Sequence, residues 1–243
     1  MKKLYDTLLP KHVRAPLLVT LLFNSFVFHG VALLLGDHVQ RIDPSLPLDD
    51  KVPFVPFFLL FYVLAYVQWF GSYIGHSRLG VEPCYRMVAA DLIAKFLCML
   101  CFLFLPTEMT RPEITGTGFW EQGVAFIYAI DRPISLLPSI HCLESWICFR
   151  TAMQLPKKNG WYITAQGVLT VLVLLSTVLI KQHTLLDIPT GVLAAEIGLQ
   201  LANRGGLWRH VDKLQTPSAR RALAAQRADH PQDEGDASHP HLL

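Results

Sequence analysis

The sequence predicts an all-α protein, a polytopic bundle of six transmembrane helices, and three observations carry that prediction. Hydrophobic residues fill 52% of the 243 positions and charged residues only 16%, a balance rare in soluble domains. The mean hydropathy is positive, at +0.35. Apolar runs long enough to cross about 30 Å of hydrocarbon, which takes roughly 20 helical residues, recur along the chain.

In order, the expected spans are about 15 to 36, 53 to 75, 87 to 105, 138 to 154, 161 to 180 and 184 to 203. The first is too long for a signal-peptide core and lacks a small-residue cleavage pattern, so it is expected to be a retained helix. After it, the polar, Pro-punctuated stretch GDHVQRIDPSLPLDDK reads as a short ordered connection. The second span, FVPFFLLFYVLAYVQWF, is aromatic-rich; its rings are expected to face lipid, with a groove for lipid tails as the other use. Within the third, Asp91 and Lys95 lie four apart and are expected to pair inside the bundle. The fourth carries His141, Glu144 and Arg150, whose polar groups must face protein or water. Pro138 suits its first turn, and PKKNG suits its stop. The roles of Glu144, and of Glu196 in the sixth span, stay open. From about Thr216 the chain is rich in Ala, Arg, Asp, Pro and His, so a membrane domain at 1–215 is expected to end in a disordered cytoplasmic tail at 216–243. The tail histidines His230, His239 and His241 read as solvated.

Five cysteines, an odd number, make no disulfide framework. Cys98 and Cys101 form a CxxC inside an apolar run, where packing is the expected use.

Basic residues set the expected orientation, because Lys and Arg accumulate on the cytoplasmic side. With both termini inside, that side holds Lys2, Lys3, Lys11, Arg14, Arg78, Arg86, Lys157, Lys158, Arg204, Arg209, Lys213, Arg220, Arg221 and Arg227. The outer connections then hold only Arg41, Lys51, Arg111, Arg132 and Lys181. Three of those five lie near two histidine-bearing segments, DRPISLLPSIH from Asp131 to His141 and KQHTLLD from Lys181 to Asp187. Any chemistry there is expected to face the extracytoplasmic side.

His183 and Asp187 are four apart at the start of the last span, which on a helix puts their Cβ atoms about 5–6 Å from each other. A carboxylate bound to one imidazole nitrogen fixes the tautomer, leaves the other nitrogen its lone pair and stabilises the positive charge that develops on attack. Such a histidine is a competent nucleophile toward phosphorus. His141 is placed to protonate a leaving alkoxide. Ser139 and the free N–H groups of the helix start can hold phosphate oxygens, and Arg111, Arg132 and Lys181 can neutralise their charge. Two histidines and a carboxylate also make a metal triad, but Arg132 and Lys181 beside them would repel a cation; no metal and no cofactor is expected.

At these residues the chain resembles the type-2 phosphatidic acid phosphatase superfamily, over a core from about Arg111 to Gly191. The family's PSGH-like motif appears as Pro138, Ser139, Ile140 and His141. Its SRxxxxxHxxxD motif is met by Ser176, His183 and Asp187, with Thr177 where the arginine stands. The KxxxxxxRP motif is incomplete: Arg132–Pro133 has Ala125, and Arg111–Pro112 has Phe104, at the lysine position. YxxDxPxSxxPSxH from Tyr128 to His141, followed by KQHxxxD, looks more like the branch that includes inositol phosphorylceramide synthases and related bacterial membrane phosphatases. The resemblance implies His183 as nucleophile, Asp187 as its orienting group, His141 as proton donor and Ser139 on phosphate, with Lys181 standing in for the missing arginine.

The expected function is an integral membrane lipid phosphatase that hydrolyses a lipid phosphate monoester or diphosphate through a phosphohistidine, without metal. Its partners are a phospholipid or polyprenyl-phosphate substrate and the bilayer, with no nucleic acid. A bacterial inner membrane is the expected setting. Two alternatives stand beside it: a lipid phosphotransferase of the inositol phosphorylceramide or sphingomyelin synthase type, and a non-catalytic lipid-binding or transport protein.

Overall fold

The protein is described from a computed structural model covering residues 9–36, 38–155, 158–215, 217, 220 and 221. Regular structure among these residues is helical, and two isolated β-bridges join Ile42 to Thr107 and Glu108 to Ile134. Helix α1 runs Lys11–Leu35 with a π-helical turn at Phe26–Gly30. A 3-10 turn at Pro56–Phe58 leads into α2, Leu59–Leu79. Gly80, at φ 136°, adopts a conformation open to glycine, which lets α2 turn straight into α3, Val81–Phe104. There follow α4, Phe119–Ile130, α5, Ile140–Met153, α6, Gly160–Leu179, and α7, Asp187–Asn203, then a 3-10 segment at Leu207–Leu214.

Each expected span coincides with a helix. Four of them (α1, α2 with its lead-in turn, α3 and α6) are long and apolar enough to cross a membrane. The other two are shorter: α5 has 14 residues and α7 has 17. Helix α4, of 12 residues, lies between expected spans three and four and was not anticipated. The tail expectation, from Thr216 on, falls outside the described residues apart from Pro217, Arg220 and Arg221.

Helix α3 is the hub, with α7 as its most extensive partner and α1, α2 and α5 packed around it. Small residues bring α3 and α7 close: a side chain at Gly198 would run into the backbone of Ala90 and Ala94. Polar groups cross-link the same helices. Lys95 is buried with Asp91, its Nζ 2.9 Å from the carboxylate, and it also binds Glu144 of α5. Glu196 of α7 accepts from Trp146 Nε1 at 2.7 Å and pairs with Arg150 Nε at 2.7 Å. Asp91 and Lys95 therefore pair as expected, and the open questions at Glu144 and Glu196 resolve into ties from α5 to its two neighbours. All five cysteines are free.

At one end of the bundle the connections are knitted together. Thr107 Oγ1 accepts from the N–H of Leu136 at 2.9 Å and of Leu137 at 3.3 Å. Asp49 takes the Lys181 ammonium on its main-chain carbonyl at 2.8 Å and the Leu185 N–H on its carboxylate at 2.7 Å. Tyr128 donates to the Ile180 carbonyl at 2.7 Å. These bonds tie each histidine-bearing segment to a neighbouring connection, and the bond from Tyr128 to Ile180 joins the residues just before them.

Candidate active site

Helix α5 starts where Ser139 caps it. The Ser139 hydroxyl accepts from the Cys142 N–H at 3.3 Å, so His141 sits in the first turn. Its ring stacks on Tyr62 of α2, with centroids 4.0 Å apart and planes at 19°. Tyr66 and Trp69 close around the same imidazole at 5.7 and 5.0 Å. Positions 62, 66 and 69 share one face of a helix, so part of the aromatic run expected to face lipid forms the wall behind His141. Other residues of that run, Val63, Val67 and Phe70 among them, are exposed on the bundle surface. His141 is 9% exposed, and its Nε2 has no hydrogen-bond partner.

His183 is positioned by the way α6 ends. The Lys181 N–H donates to Val178 O at 3.2 Å and the Gln182 N–H to Thr177 O at 2.9 Å, with Lys181 in the left-handed region at φ 55°. This is a Schellman reversal built without glycine. The chain then enters a turn, and α7 begins only at Asp187. His183 therefore precedes the helix, which corrects the expectation that it shares a helical face with Asp187. The contact forms all the same: His183 Nδ1–H donates to Asp187 Oδ2 at 2.9 Å, and the Thr184 N–H donates to the same oxygen at 2.9 Å. Asp187 is fully buried, with its Oδ1 lacking a partner. Gly191, one turn on, lets α7 approach α5; a Cβ there would lie 2.7 Å from the Ser139 carbonyl oxygen.

The two imidazole centroids are 6.2 Å apart, a gap that a single phosphoryl group can bridge. Both rings line one cleft, together with Tyr62, Arg111, Asp131, Arg132, Ser135, Gln182 and apolar side chains. The Arg111 guanidinium lies 4.7 Å above the Tyr128 ring and donates to the Asp131 main-chain carbonyl, while its buried Nε has no partner. Burial lowers the Arg111 pKa, and Asp131 nearby opposes that shift. Arg132 is exposed at the rim.

Two sequence candidates stand elsewhere. Ser139 is fully buried at its cap, and Lys181 reaches the Asp49 carbonyl; neither lines the cleft. Thr177, in the place of the family's arginine, is buried with its hydroxyl on Leu174 O at 2.8 Å. Four polar cleft residues were missed: Tyr62, Asp131, Ser135 and Gln182. The last three sit inside the motifs already quoted, so their spacing was the available signal. Tyr62 had none beyond its place in an aromatic run. The Asp131 carboxylate accepts from Gln182 Nε2 at 3.2 Å. Burial raises its pKa, with Arg111 and His183 pulling the other way.

Among the described residues no three His, Cys, Asp or Glu side chains are placed to share a metal ion. Comparison of the chain with protein-family models, curated proteins and solved structures finds no match.

Proposed function

We propose that this chain is an integral membrane lipid phosphatase that works through a phosphohistidine and belongs with the type-2 phosphatidic acid phosphatases. One observation carries the reading: an imidazole oriented by a buried carboxylate lies 6.2 Å from a second imidazole whose Nε2 is unpartnered, in a cleft with Arg111 and Arg132. The Nε2 of His183 attacks phosphorus while Asp187 stabilises the imidazolium through Nδ1–H. The bond from phosphorus to the lipid oxygen breaks, and His141 Nε2–H delivers the proton that makes the leaving group an alcohol. Arg111 and Arg132 balance the equatorial oxygens. In the second half His141 takes a proton from water, whose oxygen displaces His183 and releases inorganic phosphate.

The cleft lies at the extracytoplasmic end of a six-crossing bundle with both termini cytoplasmic. Charge supports that orientation. The connections at the cleft end carry Arg41, Lys51, Arg111, Arg132 and Lys181, and the opposite end carries Lys11, Arg14, Arg78, Arg86, Lys158, Arg204, Arg209 and Lys213. Helices α5 and α7 cross as short spans in which Glu144 pairs with Lys95, and Arg150 with Glu196, inside the bundle. A bacterial inner membrane is the setting we assign.

A lipid phosphotransferase is the second reading, favoured by the enclosure of His141 behind three aromatic rings, since transfer to an alcohol needs water kept out. The test is to incubate purified protein in detergent with phosphatidate, phosphatidylglycerophosphate or a polyprenyl diphosphate, with and without chelator, and to measure free phosphate. The phosphatase releases phosphate in both conditions. Release only after a lipid alcohol is supplied, with a new phospholipid formed, identifies the transferase. No turnover in any arm identifies a lipid-binding scaffold, and loss with chelator identifies a metal enzyme.

A further inference from the structure

Ser135 has no part in the steps above, yet it lines the cleft beside both histidines and is only 8% exposed. Its N–H donates to the Thr107 carbonyl at 2.9 Å, while among the described residues its hydroxyl has no hydrogen-bond partner. A polar group enclosed in this way is costly unless something binds it. The backbone here is left-handed, at φ 57°, a conformation that strains any residue with a Cβ and that glycine adopts freely. Among the described residues one other non-glycine position shares it, Lys181 at φ 55°, and there the Schellman reversal and the bond to the Asp49 carbonyl account for it. No such bond accounts for Ser135. A turn alone would be better served by glycine, so what the serine adds is its hydroxyl. Thr107 clamps the strained residue: its carbonyl takes the Ser135 N–H, and its hydroxyl takes the N–H groups of Leu136 and Leu137. Strain persists where the surroundings over-determine it, and such positions cluster where ligands are held.

We infer that Ser135, rather than Ser139, is the serine that binds the phosphoryl group, its Oγ–H donating to a non-bridging phosphate oxygen. Ser139 is committed elsewhere: its hydroxyl accepts from the Cys142 N–H at 3.3 Å, and it does not line the cleft. Ser135 shares the lining with Arg111, His141 and His183, so the same anion can meet all four. Their contributions differ in kind. A guanidinium balances the charge of the oxygens, whereas a single hydroxyl on a clamped backbone fixes how the tetrahedral group is turned about the line of attack. A donor already in place needs no reorganisation when the phosphoryl group moves from oxygen to nitrogen. A hydrogen bond from a neutral donor to a charged acceptor is worth about 10- to 100-fold in affinity.

This inference takes its ligand from the phosphohistidine reading, and the experiment separates the two. Binding of inorganic phosphate to the full chain in detergent is measured by calorimetry, and phosphate release from phosphatidate by steady-state kinetics, for the wild type and for the Ser135→Gly, Ser135→Ala, Ser135→Asn and His183→Ala variants. Ser135→Gly relaxes the backbone and should keep the fold, yet it should bind phosphate about tenfold or more weakly and lower kcat/KM by about 10- to 100-fold. Ser135→Ala should lose as much. Asparagine tolerates the left-handed conformation and carries an N–H donor, so Ser135→Asn should recover most of the loss, which a turn-forming role alone would not produce. Unchanged phosphate affinity and kcat/KM in both Ser135→Gly and Ser135→Ala, with His183→Ala silent, overturns the assignment of Ser135 and leaves the phosphohistidine standing. Full turnover in His183→Ala, with phosphate binding weakened in Ser135→Gly, overturns the phosphohistidine and leaves Ser135 as the phosphate ligand. A wild type that binds no phosphate overturns the inference outright.

Discussion

His183 depends on one oxygen atom. Asp187 Oδ2 accepts both the imidazole N–H and the Thr184 N–H, so ring orientation and the turn that carries the ring share a single acceptor. Asp187→Asn keeps the size of the side chain but offers the ring an amide that can select the wrong tautomer, and we expect turnover to fall by about 10²- to 10⁴-fold with little change in KM. Steady-state kinetics of the folded variant check this. In the proposed mechanism His141 acts on a different bond. In His141→Ala the nucleophile and its carboxylate are intact, so a lipid phosphate with an activated leaving group should still load the enzyme, and the adduct should outlive the wild-type intermediate because no base activates water. Quenched-flow labelling reads that lifetime; an adduct no longer lived than the wild type's contradicts the assignment. The residues of this pair were legible in the sequence from HxxxD and PSxH. Their geometry was legible only in part, because a spacing of four suggests a helical face whereas a Schellman reversal and a turn make the same contact.

Close approach of α7 to α5 sets the distance between the two histidines. Gly191 permits it: an added Cβ would lie 2.7 Å from the Ser139 carbonyl oxygen and 2.9 Å from Cys142 Cβ, and backbone does not yield as a flexible side chain does. Gly191→Ala is expected to destabilise the fold by about 1–3 kcal/mol. It should also lower kcat by up to about 10²-fold, since displacement near 1 Å costs that much in a positioned reaction. Thermal unfolding and kinetics on one preparation separate the two effects; normal kcat in a destabilised protein would show that this approach does not set catalytic geometry. At this scale the sequence is an uneven guide. Spans rich in Leu, Val and Phe announce themselves by hydropathy. Helix α4 did not, being only 12 residues and lying between runs long enough to dominate any window. Lys181 was assigned to phosphate by its nearness to His183 along the chain, but its left-handed backbone and its bond to Asp49 could be found only from the folded loops.

The whole molecule is held around a charged centre. Lys95, Asp91 and Glu144 are buried between α3 and α5, where the ammonium contacts two carboxylates at once. Lys95→Met would leave both without a cation and should cost about 3–5 kcal/mol, read as a lowered unfolding temperature in detergent. Replacing all three by apolar residues of similar volume should recover most of that loss, because the desolvation penalty disappears with the charges. The all-helical class and the positions of the apolar helices were readable from hydropathy, that of α5 from its flanking Pro138 and PKKNG signals, and the Asp91–Lys95 pair from its spacing. Glu144 as the third member was not, because it comes from another helix 49 residues away in sequence.

The central claim is that His183 becomes covalently phosphorylated. Rapid acid-free denaturation after mixing the wild-type protein with phosphate-labelled lipid, followed by peptide mapping, tests it most directly. The account predicts label on the peptide that contains His183, stable to base and labile to acid, and absent from His183→Ala. Turnover with no covalent label in His141→Ala, or label retained in His183→Ala, contradicts it.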